Sequence, residues 1–202
     1  MNGNVRRPLG VATVLALIIA GLWALDWFLA ETQAHELQVE AQRVYLDGAR
    51  LLQEGKLPEA VDVLSRAYAL ERQNSGYELK LIGALTAAGK RDEAEPLLVE
   101  LLQRDSNNAG ANVAMARLMA SKGEVADAES YYHRALYGAW PGDSNRSRRS
   151  VRMELIEFLV KSGRTRELLA ELLPLEQEGE EGNGDMAFKK RIAHLFLRAG
   201  SP

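Results

Sequence analysis

Glu54-Gly55-Lys56-Leu57-Pro58-Glu59-Ala60 returns as Ala88-Gly89-Lys90-Arg91-Asp92-Glu93-Ala94 and again as Lys122-Gly123-Glu124-Val125-Ala126-Asp127-Ala128. The glycines stand 34 residues apart, and so do the closing alanines. A fixed period of this length marks stacked supersecondary units, each too small to bury its apolar face alone. Glycine takes the left-handed conformation that often ends a helix, so one helix ends at each glycine and a second starts about two residues later. Pro58 suits a first helical turn, where its missing N–H costs nothing. The spacing predicts helix pairs at 41–54 with 58–71, 76–88 with 91–104, and 109–122 with 125–137.

The register continues in weaker form. Gly163 follows Gly123 by 40 residues, so about six are inserted, at 143–148 after Trp140-Pro141-Gly142. A fourth pair is expected at 149–162 and 165–176, with Leu168 where the other units have alanine. Residues 177–185 read as an acidic link, and 186–199 as one amphipathic helix ending before Gly200. A lone last helix suits the cap that hides the open end of a stack.

These units resemble the tetratricopeptide repeat (TPR) family. That family has a small residue at position 8 of each repeat, often glycine at 15, alanine at 20, a large apolar residue at 24 and a small one at 27. The first repeat supplies Gly48, Gly55, Ala60, Leu64 and Ala67, and the third Ala116, Gly123, Ala128, Tyr132 and Ala135. The second departs, with Ile82 at position 8 and Leu101 at position 27. The resemblance implies an all-α solenoid of three good repeats, one degenerate repeat and a capping helix. Repeats are expected near 41–74, 75–108, 109–142 and 149–182, within a domain spanning 41–202.

Ahead of the repeats lies an apolar run. Residues 1–8 carry Arg6 and Arg7, and no charge then occurs from Leu9 to Leu25. With Trp27 to Ala30 the run covers 22 residues. That is roughly 33 Å of helix, enough for a hydrocarbon core of about 30 Å. A cleaved signal has a shorter apolar core and small residues before the cut, whereas here only Thr32-Gln33-Ala34 is passable, behind large aromatics. The expectation is an uncleaved transmembrane helix over 9–30, with a helical connector at 31–40. Asp26 would cost about 2.5–3.5 kcal/mol at mid-bilayer and less near the end of the span, where Trp23 and Trp27 suit an aromatic belt. Arg6 and Arg7 before the span, against Glu31, Glu36 and Glu40 after it, predict a cytoplasmic N-terminus. The repeat domain is then expected outside the inner (cytoplasmic) membrane, in the periplasm of a Gram-negative cell.

Chemistry is sparse. The 202 residues include no cysteine, so disulfides and thiolate chemistry are absent, and the net charge of -3 gives no global field for nucleic acid. Gly83 to Lys90 imitates a phosphate loop, but five residues separate the glycines and Arg91 stands where Ser or Thr must be. His35, His133 and His194 show no metal-ligand spacing. No catalytic, cofactor or metal site is expected, nor a small-molecule substrate.

What the repeats leave free is a groove. The resemblance carries its lining to Tyr45, Ala49 and Leu52, with Gln42 and Gln53, in the first repeat. In the second it reaches Leu79, Gly83 and Thr86, with Ala87, and in the third Val113, Arg117 and Ala120, with Ser121. Met153 follows in the fourth, with Glu157 and Val160. This lining is small and apolar with one arginine, suited to a partner helix or extended segment. Further contact candidates are Trp23, Asp26 and Trp27 in the span, and Arg146, Arg148, Arg149 and Arg152 at the insert, which could meet a lipid headgroup or an acidic partner. The function expected is a membrane-anchored adaptor for protein partners of the envelope or membrane. The alternative is an accessory subunit of a larger membrane complex.

Overall fold

The computed structural model describes residues 6–142, 144–164, 167, 168, 170, 171, 190, 194 and 197. Among the described residues seven helices follow one another: α1 (Arg6–Gln53), α2 (Leu57–Leu70), α3 (Ser75–Ala87), α4 (Arg91–Arg104), α5 (Ala109–Lys122), α6 (Val125–Tyr137) and α7 (Ser144–Lys161). The chain forms two compact units that divide between Tyr77 and Glu78. The acidic link at 177–185 and most of the expected cap at 186–199 lie outside the described residues.

The repeated phrase builds the same turn each time. Gly55, Gly89, Gly123 and Gly163 all have φ between 69° and 82°. Behind each, the residue after the glycine donates to a carbonyl five residues back: Lys56 to Leu51, Lys90 to Leu85, Glu124 to Met119 and Arg164 to Leu159, at 2.9–3.0 Å. This left-handed glycine turn satisfies carbonyls that the helix end would leave bare. The fourth repeat keeps the turn although its sequence is degenerate.

In the first unit α1 and α2 pack together. Ala60, Leu64 and Ala67 are fully buried on α2. Gly48 on α1 explains the small residue there, because a Cβ would lie 2.7 Å from Cγ of Leu64. Tyr45 stacks on Tyr77 with centroids 4.6 Å apart, beside buried Ala41 and Ala67. The connector at 31–40 is helical and continuous with α1.

Along α1 the side chains from Val14 to Phe28 are exposed, Trp23 at 75% and Trp27 at 71%. Among the described residues no helix is long and apolar enough to cross a membrane.

In the second unit α4 packs on α5, α5 on α6, and α6 on α7. The main core joins Val113 and Ala116 of α5, Tyr132, Ala135 and Leu136 of α6, Val151, Met153, Leu155, Ile156 and Leu159 of α7, and Leu168. Leu168 therefore occupies as core what alanine occupies elsewhere. Ile82 and Leu101, the two departures of the second repeat, are each 1% exposed. Glu78 is buried and paired with Arg104, which ties α3 to α4.

Of the expected insert at 143–148, residues 144–148 are helical rather than a loop. Beyond Gly142 (φ 73°) the chain has no glycine or proline until Gly163, and its arginines favour helix, so α7 already begins at Ser144. The preceding turn is fixed by main chain: Ala139 N–H donates to Asn107 at 2.8 Å, and Ala109 N–H to Ala139 at 3.2 Å. The α4–α5 and α6–α7 turns are thereby stitched together. Asn112 reinforces the first by donating to Ser106 and Asn108 carbonyls at 3.0 and 2.8 Å.

Candidate functional site

Helices α5 and α7 present two clefts that share one wall. The wall is an ion pair, with Arg117 Nε and Nη2 each 2.7 Å from a carboxylate oxygen of Glu154. Such a two-pronged pair holds both side chains in one plane. Tyr132 of α6 donates from below to Glu154 Oε1 at 2.8 Å. Phe158 lies against Tyr132, with centroids 5.7 Å apart.

The electrostatics follow from half-burial. Burial pushes the Glu154 carboxyl up, but its bonds to Arg117 and Tyr132 outweigh this and hold it below its usual 4.5. The bond to Glu154 raises the Arg117 guanidinium. Tyr132 is raised, first by burial and then by donating to Glu154. The shifts favour an arginine cation, a carboxylate and a neutral phenol at neutral pH.

One cleft, of about 430 Å³, runs from Gly110 and Val113 past Arg117 to Trp140, Arg146, Ser147 and Ser150. The other, of about 460 Å³, is lined by Ala120, Ser121, Val125, Phe158 and Lys161 on the far side of the pair. Both are open surface channels, shaped for a chain segment rather than for an enclosed small molecule. Trp140 is fixed because its indole N–H donates to the Ala135 carbonyl at 2.9 Å.

The groove residues named from sequence divide. Arg117 and Ala120 line the clefts, and Val113 lines one while being 6% exposed. Gly83 and Thr86 are exposed on α3, Thr86 with its hydroxyl bonded to the Ile82 carbonyl at 2.8 Å. Leu79 is half-buried. In the first unit Tyr45, Ala49 and Leu52 are half-buried, and Tyr45 spends its ring on Tyr77. Met153 is corrected: it is 9% exposed and belongs to the core, while its neighbour Glu154 faces the cleft. Sequence reasoning missed Glu154. The available signal was a lone groove arginine with a glutamate 37 residues on, about one helical turn short of the 40-residue step from Gly123 to Gly163.

The arginines at the insert also divide. Arg146 is exposed at the mouth of the cleft. Arg148 and Arg149 are half-buried, and Arg148 donates to the Leu136 carbonyl at 3.1 Å. Arg152 lies 3.6 Å from Glu171 and is 12% exposed. Arg148 and Arg152 therefore serve packing of α7. Asp26 is exposed on α1 between the exposed Trp23 and Trp27.

His133 sits in a charged cluster, 3.9 Å from Glu129 and 3.6 Å from Glu171. Arg164 pairs with Glu129 at 3.1 Å. Among the described residues no group of three or more His, Cys, Asp or Glu is placed to hold a metal ion.

Residues 85–139 match a family model described as tetratricopeptide repeat. Among solved structures, the fold is similar to that of a thermophilic TPR protein from Thermus thermophilus. That match has a TM-score of 0.62 at 20% identity and covers 78% of this chain and 81% of that one. At that identity the likeness concerns the fold. No curated protein matches the chain.

Proposed function

This chain is a tetratricopeptide repeat protein, and from that premise we propose that it is a non-enzymatic, membrane-held scaffold that seats a segment of a protein partner between α5 and α7. The observation that carries the reading is the pair of open clefts on either side of Arg117 and Glu154. They combine exposed apolar wall, fixed polar groups and a length suited to an extended chain or a helix face.

Attachment to the membrane is supported by residues 9–30, an apolar run interrupted only by Asp26, and by the exposed apolar side chains of Val14 to Phe28 on α1. The charge balance at its flanks favours a cytoplasmic N-terminus with the repeats outside the inner membrane. The uninterrupted helix through the connector would then hold the repeats near the bilayer.

A second reading, an accessory subunit of a membrane complex, draws on Asp26 between Trp23 and Trp27. An ionisable residue inside a membrane segment tends to face a protein partner.

Photo-crosslinking in membranes tests the scaffold reading. A photoreactive residue at Ala120 is expected to form discrete partner adducts, and one at Val99 on exposed α4 surface is not. Adducts at Val99 alone would move the site away from the groove. Gentle detergent extraction separates the two readings: a fixed set of integral membrane partners favours the subunit, and variable soluble clients favour the adaptor.

A further inference from the structure

We propose that α1 pairs in parallel with α1 of a second copy of this chain, along a stripe running from the apolar stretch through the connector to Leu46. Helix α1 contributes none of the residues lining the clefts of α5 and α7, so the pairing is independent of what they hold.

Spacing defines the stripe. Leu15, Ile18, Leu22 and Leu25 recur at steps of three and four residues, and Val39 and Leu46 fall on the same seven-residue register. All six are 53–60% exposed. At that step two helices coil about each other, each apolar side chain entering a gap in the facing helix. The face is also clear of the chain's own packing. Ala41 and Gly48, which are buried on the side of α1 that meets α2, lie across the helix from it.

Val39 and Leu46 decide the occupant. Around Leu15 to Leu25 the side chains are exposed on every side of α1, and lipid would cover them as well as a helix could. Val39 and Leu46 lie 9 and 16 residues beyond Ala30, roughly 14 and 24 Å along the helix, outside any hydrocarbon that holds 9–30. Leu37, the other exposed apolar residue in this part of α1, shares a face with Ala41 and lies off the stripe. From His35 to Glu40 every residue is exposed, and a helical stretch without tertiary cover is marginal in water. A second α1 covers the stripe and supports this stretch. Parallel pairing sets apolar stretch against apolar stretch, with His35 beside Glu40 of the second copy and Gln42 beside its Asp47, donors facing carboxylates. Antiparallel pairing over Val39 and Leu46 would send the two apolar stretches to opposite ends, out of reach of each other and of one bilayer.

The chain has no cysteine, so in such a dimer one introduced thiol can bridge only to its counterpart. Val39→Cys and Leu46→Cys, each in the full chain in cell membranes with copper phenanthroline as oxidant, are expected to give a disulfide-linked band of twice the chain mass. Gln38→Cys, exposed and away from the stripe, is expected to give none. Bridging at both positions requires the parallel arrangement, because an antiparallel pair cannot bring both residues to their own counterparts. Two differently tagged copies should co-purify after gentle extraction. Val39→Glu with Leu46→Glu should lower that capture about tenfold or more, with the helical signal unchanged. No bridge at either position, a bridge at only one, equal bridging from Gln38→Cys, or undiminished capture of the double variant overturns the proposal. A disulfide to a different protein in place of the dimer also overturns it, and favours the subunit reading. Both bridges formed in a chain that an alkaline wash strips from membranes would remove the membrane reading and support the pairing.

Discussion

Arg117 on α5 and Glu154 on α7 meet end-on across the groove, two bonds of 2.7 Å joining residues 37 positions apart in sequence. Because the carboxyl of Glu154 is held below its ordinary 4.5, the folded state prefers it charged. A depressed carboxylate adds stability that is fully present above the unfolded value and is lost as pH falls through the folded one. Glu154→Gln should therefore cost up to about 1 kcal/mol near neutral pH, the pair being partly exposed. The difference from the parent chain should shrink on acidification below the ordinary carboxylate range. Urea midpoints at pH 7 and pH 3 measure this, and an equal loss at both would show that the pair adds no pH-dependent stability.

Gly138 and Gly83 should respond oppositely to alanine. A Cβ on Gly138 would lie 2.8 Å from the Asn107 carbonyl oxygen, 3.0 Å from that of Arg134 and 3.1 Å from Cα of Ala109. All three are backbone and cannot rotate away. Gly138→Ala should cost about 1–3 kcal/mol and loosen the stitched turns. Gly83 lies within α3 with nothing within 4 Å of the added Cβ. Gly83→Ala should stabilise by roughly 0.5–1 kcal/mol, the entropic penalty of glycine in a helix. Thermal unfolding of the two variants reads both signs.

The sequence and the structure agree where a local rule acts. Glycine at a helix end needs only its neighbours, so Gly55, Gly89, Gly123 and Gly163 announced their left-handed turns. Small residues at fixed steps announced close helix contact, and Gly48 against Leu64 is such a contact. The reading weakened where tertiary partners decide. That α7 begins at Ser144 was hidden because an insert counted against the repeat period looks like loop. The stitch between Asn107, Ala109 and Ala139 joins turns about thirty residues apart by main-chain groups, which carry no side-chain signature. Met153 and Glu154 differ by one helical step of about 100°, enough to exchange core for groove when the register past an insert is uncertain.

Ile82 tests whether the second repeat is a damaged copy or a repacked one. At 1% exposure it fills space that Gly48 and Ala116 leave small in the neighbouring repeats. If the surroundings have grown to fit it, restoring a small residue opens a cavity. Ile82→Ala should then destabilise by about 2–5 kcal/mol, although it moves the repeat toward the family pattern. A neutral or stabilising result in chemical denaturation would mean that Ile82 is strained where it sits.

Residues 9–30 make the last prediction, because attachment to a bilayer decides where the groove can find its partner. The side chains of Leu17, Leu22, Trp23 and Trp27 are 60–75% exposed, an arrangement that water penalises at about 25 cal/mol per Å². A bilayer would cover them. The full chain should stay with membranes through an alkaline wash that strips peripheral proteins, and Leu17→Arg with Leu22→Arg should release it, since each charge deep in the span costs about 2.5–3.5 kcal/mol. Asp26→Leu should leave it bound, lying close to the end of the span. A reporter joined after Pro202 should be active outside the cytoplasm, as the arginines ahead of the span require. Activity confined to the cytoplasm would reverse the orientation and place the cleft of Trp140 and Arg146 before a different set of partners.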